Sequence, residues 1–488
     1  MGDEYIMVNR LKIGLVSASQ LSFYGDKKGV YARSSQKLTS LSNEIDFDLY
    51  VYPNTVITAD DAYMAVAALA DEKVDFVLLQ CTSFSAGSLA PIFARIKNAF
   101  LGLWAIPEFA QEGAVPFNSF CGINMFSAII GHYLKDYNIP IKWFYGDVED
   151  RLFADRFSIT VRALTAIKKI KSSRVALIGG VAPGFDDLYD DERNIIKRLD
   201  GIKINRLHEY SEIRDRAVKY SDEQVKPIME ELIRDSVSVH PKALPLMEVN
   251  ARFSMAYDDF IKDYGYDGIA ISCWPKFQDE FKYSVCSVVA GLNDKGTATA
   301  CEGDLTSAIS MLILKYLSND ITTLMDLSAF DAADDTVLMW HCGPTSKRYC
   351  SSQGYTLDLN YSGMPHEEGC SVPNGCGVTR NMVFAPGDVT IARLTGECDK
   401  MFLAQGSFLG DTKKSFYGSR GWMGNLKLNT KDIGALDFVN TILVQRFQHH
   451  FPMVLGDYSK EICEVMSWLG LAPVKAVEYK DYMQNPFN

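Results

Sequence analysis

Short apolar runs alternate with amphipathic helical stretches through the first two thirds of the chain, and this rhythm most constrains its fold. Residues 12–17, 47–52 and 76–80 read as strands, and the acidic, alanine-rich stretch 60–70 reads as a helix between the last two. Strands alternating with helices imply a parallel sheet covered by helices on its faces. Ligand-facing residues in such sheets follow the carboxyl ends of the strands, so Gln80-Cys81-Thr82-Ser83 and Pro116-Phe117-Asn118-Ser119 are expected pocket walls. The rhythm restarts at residues 174–180, after the basic stretch 168–171, and runs through residues 268–275 to a helix beginning near Asp304. Beyond about residue 320 the texture changes. Short segments at 336–340, 381–384, 389–394 and 401–405 are separated by Gly, Pro and Asn, which predicts antiparallel β structure. The expected fold class is α/β. Two Rossmann-like α/β domains with parallel sheets, residues 1–170 and 171–320, precede a β-rich, barrel-like C-terminal domain, residues 321–488.

A hydrophobic content of 47% over 488 residues is ample for large cores. The formal charge of −12, with no basic run to offset it, argues against nucleic acid as a partner. The acidic start Met1-Gly2-Asp3-Glu4-Tyr5 lacks a secretory signal pattern, and the apolar segments are too short or interrupted to span a bilayer. A cytoplasmic protein without membrane partners is expected. Its 11 cysteines are odd in number and widely spread, which favours reduced thiols. Cys370 and Cys376, with His366 nearby, form only a weak zinc pattern. Gly179, Gly180 and Gly184 match neither the GxGxxG nor the GxxxxGK[ST] spacing, so a tight strand-to-helix turn is the expected reading.

The chemistry concentrates elsewhere. In Cys301-Glu302-Gly303-Asp304 two carboxylates stand where a small-residue turn meets a helix, and Asp279-Glu280 lies upstream. Carboxylates are hard oxygen donors for Mn²⁺ or Mg²⁺ and also carry protons. Glu280 and Asp304 are 24 positions apart (304 − 280) and converge on one cation if both sit on the same rim of the second sheet. Acids at a helix start also have a purely structural explanation, worth about 0.3–1 kcal/mol from the dipole. Of seven histidines, four lie in the last third; His341 follows a short apolar strand, and His449-His450 precede another. Imidazole beside carboxylates suits Mn²⁺.

At these residues the chain resembles the L-fucose isomerase and L-arabinose isomerase superfamily of metal-dependent aldose–ketose isomerases. The resemblance rests on Cys273-Trp274-Pro275, on Ala300-Cys301-Glu302-Gly303-Asp304 with Ala308 and Met311, on Trp340-His341-Cys342-Gly343, on Gly421-Trp422, and on His450 with Gly456. It implies Glu280, Asp304 and His450 as metal ligands, with Glu302 the alternative to Glu280. The same resemblance has Trp422 packing against the sugar, His449 contacting a hydroxyl where the family has Asn, and His341 in the substrate group. Mn²⁺ is the expected ion, with Mg²⁺ and Co²⁺ as alternatives. Glu280 and Asp304 would share the proton transfer between C1 and C2 through an enediol. The resemblance further implies a homo-oligomer, a trimer or hexamer, in which the first domain of one protomer covers the next protomer's site. Gln80, Trp104, Asn118-Ser119 and Arg33 are the candidates for that cover.

The expected substrate is a small sugar of the L-fucose or D-arabinose type. The alternative is an anionic C6-substituted hexose such as sulfoquinovose, which needs a cation in the pocket. Arg252, Arg348, Arg380, Arg393 and Arg420 are available, and Arg420 lies beside Trp422. A nicotinamide-dependent oxidoreductase lacks its dinucleotide fingerprint here. A non-catalytic sugar-binding protein would not require carboxylates and histidines around a cation.

Overall fold

A strand buried on both faces needs nearly continuous apolar sequence, and β1 (Leu11–Ala18) supplies it, with only Lys12 short of full burial. With β2 (Phe47–Val56), β3 (Phe76–Cys81), β4 (Phe100–Ala105) and β5 (Ile141–Tyr145) it forms a wholly parallel sheet in the order β2-β1-β3-β4-β5. Val16, Leu79, Phe93, Leu103 and Phe126 lie in the core on one side of it. The helix Ala59–Asp71 starts at a capping box in which Thr58 and Asp61 satisfy each other's backbone N–H groups. The computed structural model describes residues 10–23, 26–360 and 377–485, apart from the side chains of Lys276 and Asp279. The possible zinc ligands His366, Cys370 and Cys376 lie outside the described residues.

The chain divides into two compact units between Lys168 and Lys169. The second unit opens with another parallel sheet, built from β6 (Arg174–Ile178), β7 (Lys203–His208), β9 (Gly268–Ile271) and β10 (Ala298–Ala300) in the order β10-β9-β6-β7. The two-residue strand β8 (Ser238–Val239) joins the later sheet instead. That later sheet contains β11 (Thr322–Asp331), β12 (Thr336–His341), β13 (Thr356–Leu359), β14 (Val378–Val383), β15 (Gly387–Leu394), β16 (Lys400–Phe408), β17 (Ser419–Leu428), β18 (Lys431–Asp432), β19 (His450–Leu455) and β20 (Ala472–Pro473). Around it β16, β15, β19, β11, β12 and β17 pair antiparallel in turn, and β17 pairs back onto β16. The result is a closed antiparallel barrel whose buried side chains include Met325, Val337, Met339, Phe402, Met423, Phe451 and Met453.

The helix Leu305–Ser318 joins the two sheets. It packs against β6, β9 and β10 on one side and against β11, β15 and β19 on the other, and every residue from Leu305 to Leu314 is buried. A helix buried on every side, with Thr306, Ser307 and Ser310 its only polar residues before Lys315, must be covered all round. This is why the boundary expected near residue 320 falls inside one compact unit. The fold is mixed α/β, with two parallel sheets and a closed antiparallel one. No helix among the described residues is long and apolar enough to cross a membrane.

Candidate active site

The site begins where β10 turns into the shared helix. Glu302 adopts a left-handed conformation (φ 61°), as does Gly303 (φ 74°), and a Cβ on Gly303 would overlap the Gly180 carbonyl oxygen. Holding a non-glycine residue in that region costs about 1–3 kcal/mol. It is secured by the Ala182 N–H donating to the Glu302 carbonyl at 2.9 Å and the Gly303 N–H donating to Ile271 at 3.0 Å. The turn aims the Glu302 side chain away from the helix and leaves Asp304 as the helix N-cap.

Asp304 is fully buried and its carboxylate is saturated with donors. It accepts from the Ser307 N–H (2.8 Å), Ser307 Oγ (2.7 Å), Thr306 Oγ1 (3.1 Å), Arg393 Nη1 (2.6 Å) and His450 Nδ1 (2.9 Å). Burial alone would raise its pKa, but the Arg393 guanidinium and His450 hold it well below the usual carboxylate range. Asp304, expected as a metal ligand and proton carrier, holds His450 through this hydrogen bond and belongs to neither cluster of ligand atoms described below.

Because His450 donates Nδ1–H to Asp304, its Nε2 faces the other way, 3.3 Å from Glu302 Oε2 and 3.6 Å from Asp326 Oδ1. A carboxylate behind an imidazole fixes its tautomer and makes it a better ligand. Strand register brings Asp326 there: it lies directly opposite His450 on β19 and opposite Trp340 on β12, while Trp340 lies opposite Arg420 on β17. Directly paired residues share a face, so His450, Asp326, Trp340 and Arg420 form a row across the outer barrel wall. His341 contributes from the end of β12, its ring stacked 5.6 Å from that of His450.

These two imidazoles are wired oppositely. The Cys342 N–H donates to His341 Nδ1 at 2.8 Å, so the neutral ring carries its proton on Nε2. Burial lowers the pKa of His341 and keeps it neutral. His450, set among Asp304, Glu302 and Asp326, is pushed up to about 10 despite burial. Burial alone would raise the pKa of Glu302, but the neighbouring imidazoles of His449 and His450 hold it well below its usual range. His449 lies between Asp187 (Nδ1, 2.8 Å) and Glu302 (Nε2, 3.2 Å).

The donor set fits a divalent cation. Asp326 Oδ1, His341 Nε2 and His450 Nε2 are all buried without a hydrogen-bond partner, and buried polar atoms rarely stay unpaired without a reason. Two overlapping groups, Glu302 with His449 and His450 and Asp326 with His341 and His450, each gather their ligand atoms within 4.8 Å of one another. Glu302 and Asp326 fall in different groups, and the Nε2 of His450 is common to both, so these three could hold an ion, while His341 offers a proton rather than a lone pair.

Several expected site residues are placed differently. Glu280 is exposed on the short helix Lys276–Phe281 and belongs to neither group. Glu302, the alternative, belongs to one of them. Trp422 is covered: the Lys413 ammonium sits 3.9 Å over its ring and its Nε1–H donates to the Lys414 carbonyl at 3.1 Å. Trp340, not Trp422, lies opposite Arg420 in the row. Arg420 donates to Asn381 Oδ1 and the Gly418 carbonyl, and its Nε is buried without a partner. In the first unit, Gln80 is fully buried and donates to Ser34 Oγ at 2.8 Å, while Trp104 is core and donates to the Gly146 carbonyl at 2.8 Å. Asn118 is the left-handed N-cap of the helix Ser119–Tyr133, its N–H held by Glu108 at 2.7 Å. Arg33 lines a cavity of about 420 Å³ with Lys28, Phe109 and Asp147. Asp326 was missed by sequence reasoning, and Arg393, named there only as a possible pocket cation, is instead the buried partner of Asp304. The available signal for Asp326 was a lone acid following the apolar start of a strand.

No family model matches the chain. It is 24% identical over 433 residues to a sulfoquinovose isomerase of Alkalicoccus urumqiensis, covering 87% of this chain and 91% of that one. It is 22% identical over 427 residues to a sulfoquinovose isomerase of Priestia aryabhattai (86% and 90% covered) and 24% over 331 residues to one of Clostridium sp. (67% and 70%). A solute-binding protein of Agrobacterium vitis solved with α-D-tagatopyranose matches at 10% identity over 76% of this chain and 94% of that one. Its TM-score of 0.17 carries no argument. The sequence relatives define the class: the chain is an enzyme, an aldose–ketose sugar isomerase.

Proposed function

We propose that the protein is a metal-dependent ketol isomerase that interconverts an aldose carrying an anionic C6 group, of the sulfoquinovose type, with its 2-ketose. Convergence of the three unpartnered buried atoms Asp326 Oδ1, His341 Nε2 and His450 Nε2 beside Glu302 carries this reading. Glu302, Asp326 and His450 would hold a divalent cation, Mn²⁺ first and Mg²⁺ or Co²⁺ next, which when bound polarises the sugar carbonyl as a Lewis acid. Asp326 takes the proton from C2 and returns it to C1 with the carboxylate oxygen that the cation would leave free. His341 donates Nε2–H to the sugar oxygen where negative charge develops. His449 bridges Glu302 and Asp187 and is in reach of a hydroxyl.

Arg420 supports the anionic substrate over the neutral L-fucose or D-arabinose type. It lies two strand spacings along the row from Asp326, about 9–10 Å, and no carboxylate among the described residues forms an ion pair with it. Trp340 between them offers an aromatic surface for the sugar. The relatives' name agrees with this choice. A homo-oligomer, trimeric or hexameric, with a neighbouring copy covering the pocket, accompanies this reading; sedimentation of the purified protein tests it.

The function is tested by incubating metal-loaded protein with sulfoquinovose and with neutral aldoses in D₂O and following the products by NMR. Turnover of sulfoquinovose with deuterium at C1 of the ketose is the expected result. Arg420→Met should lose activity only on the anionic sugar. Equal loss on neutral sugars would remove the assigned role of Arg420.

A further inference from the structure

We propose that Cys286 and Cys342 form an oxidisable thiol pair whose disulfide switches the site off. This goes beyond the isomerase reading; only its effect on turnover rests on it. The two Sγ atoms are 3.3 Å apart, although the residues come from different elements: Cys286 begins the helix Cys286–Asp294, and Cys342 follows β12. All nine cysteines among the described residues are free.

The surroundings favour reaction. Cys286 Sγ contacts Ser284 Oγ at 3.2 Å and accepts from Asn360 Nδ2 at 3.2 Å, and it stands at a helix N-terminus; both features stabilise a thiolate. Cys342 is partly exposed, whereas Cys286 is buried. A peroxide thus reaches Cys342 first, with the attacking partner already behind it. The Cys342 thiol and hydrogen peroxide give a sulfenic acid and water as the O–O bond breaks. Cys286 sulfur then displaces the sulfenic oxygen, an S–S bond forms, and the thiol proton leaves with that oxygen as a second water. In sum, two thiols lose two electrons and one peroxide becomes two waters.

The consequence follows from what Cys342 holds. Its backbone N–H is the donor to His341 Nδ1 at 2.8 Å, and its carbonyl accepts from Thr379 Oγ1. Closing the sulfurs from 3.3 Å to about 2.05 Å draws Cys342 toward Cys286, so the hydrogen bond that fixes the proton on His341 Nε2 is displaced. A second thiol contact, Cys273 with Cys301, is an internal comparison, since both of its members are buried.

The test treats the full-length, metal-loaded protein with hydrogen peroxide and maps disulfides by mass spectrometry without reduction. A peptide joining Cys286 to Cys342 should appear, turnover should fall at least tenfold, and dithiothreitol should restore both. Cys286→Ser and Cys342→Ala should each keep turnover under the same peroxide dose. Absence of that linked peptide, or a link from either cysteine to a different partner, overturns the pair. A link formed with turnover unchanged overturns the switch. The linked peptide is read without any sugar, so its failure is distinct from failure of the isomerase reading.

Discussion

The two parallel sheets have similar topology but treat the carboxyl ends of their strands differently. In the first unit the polar residues at that edge satisfy one another. Ser17 Oγ meets Thr82 Oγ1 at 3.1 Å, Ser19 Oγ meets Ser83 Oγ at 2.9 Å, and Ser119 Oγ accepts from the Ile106 N–H while donating to the Cys81 carbonyl. Gln80 Oε1 is the exception there. In the second unit the same edge presents Glu302 and, through the turn, Asp304, and the barrel wall brings up Asp326, His341 and His450 with atoms left over. The rule that ligands bind beyond strand carboxyl ends applies to both sheets and so cannot choose between them. The balance of donors and acceptors can.

The largest expected effect breaks the second edge. Glu302→Gln should abolish stoichiometric metal binding and lower turnover by about 10⁴-fold or more, read by metal analysis and the NMR assay. His341→Gln should leave metal content intact and lower turnover by about 10²–10⁴-fold, because it removes a proton donor and no ligand. Asp304→Asn should weaken metal affinity by about 10–100-fold and recover most of its turnover at saturating metal, because Asp304 acts through His450. Complete loss at saturating metal would return Asp304 to the set of direct ligands.

Much of this site was legible in the sequence, and its gaps have physical causes. The turn from Cys301 to Asp304 and the His449-His450 pair are local patterns, visible as two acids around a glycine and two adjacent imidazoles. Glu280 and Asp304 are separated by 24 positions, as are Glu302 and Asp326, and the first pair lies 22 positions before the second (302 − 280 = 326 − 304). Asp326 was invisible because its role depends on β11 lying against β19 in a register that puts it opposite His450. Local sequence does not set long-range register. Arg393 was visible only as one of several available cations for the same reason: its pairing with Asp304 joins residues far apart in the chain. Trp340 and Trp422 sit on neighbouring strands, and it is Lys413 lying over the latter's ring that tells them apart.

The histidine difference sharpens the comparison through pH. His450 keeps its proton to about pH 10 in metal-free protein, and a cation on Nε2 must displace it. Metal affinity should therefore rise with pH, by about tenfold per unit below pH 10 for one released proton. Calorimetry in buffers of different ionisation enthalpy measures that proton directly. Binding without proton release would mean that His450 is not a ligand.

The smallest expected effect comes from the first edge. Thr82→Val removes a hydroxyl that touches Ser17 and donates to the Ala18 carbonyl at 3.2 Å, at nearly constant volume. The lost hydrogen bonds should cost about 1 kcal/mol of stability, read as a shift in the urea midpoint, with kcat and KM unchanged. An altered KM at unchanged stability would show that this edge touches substrate after all. Because the hydroxyl is buried within its own unit, such a result would require a neighbouring copy to reshape it, and sedimentation of the variant would then separate assembly from chemistry.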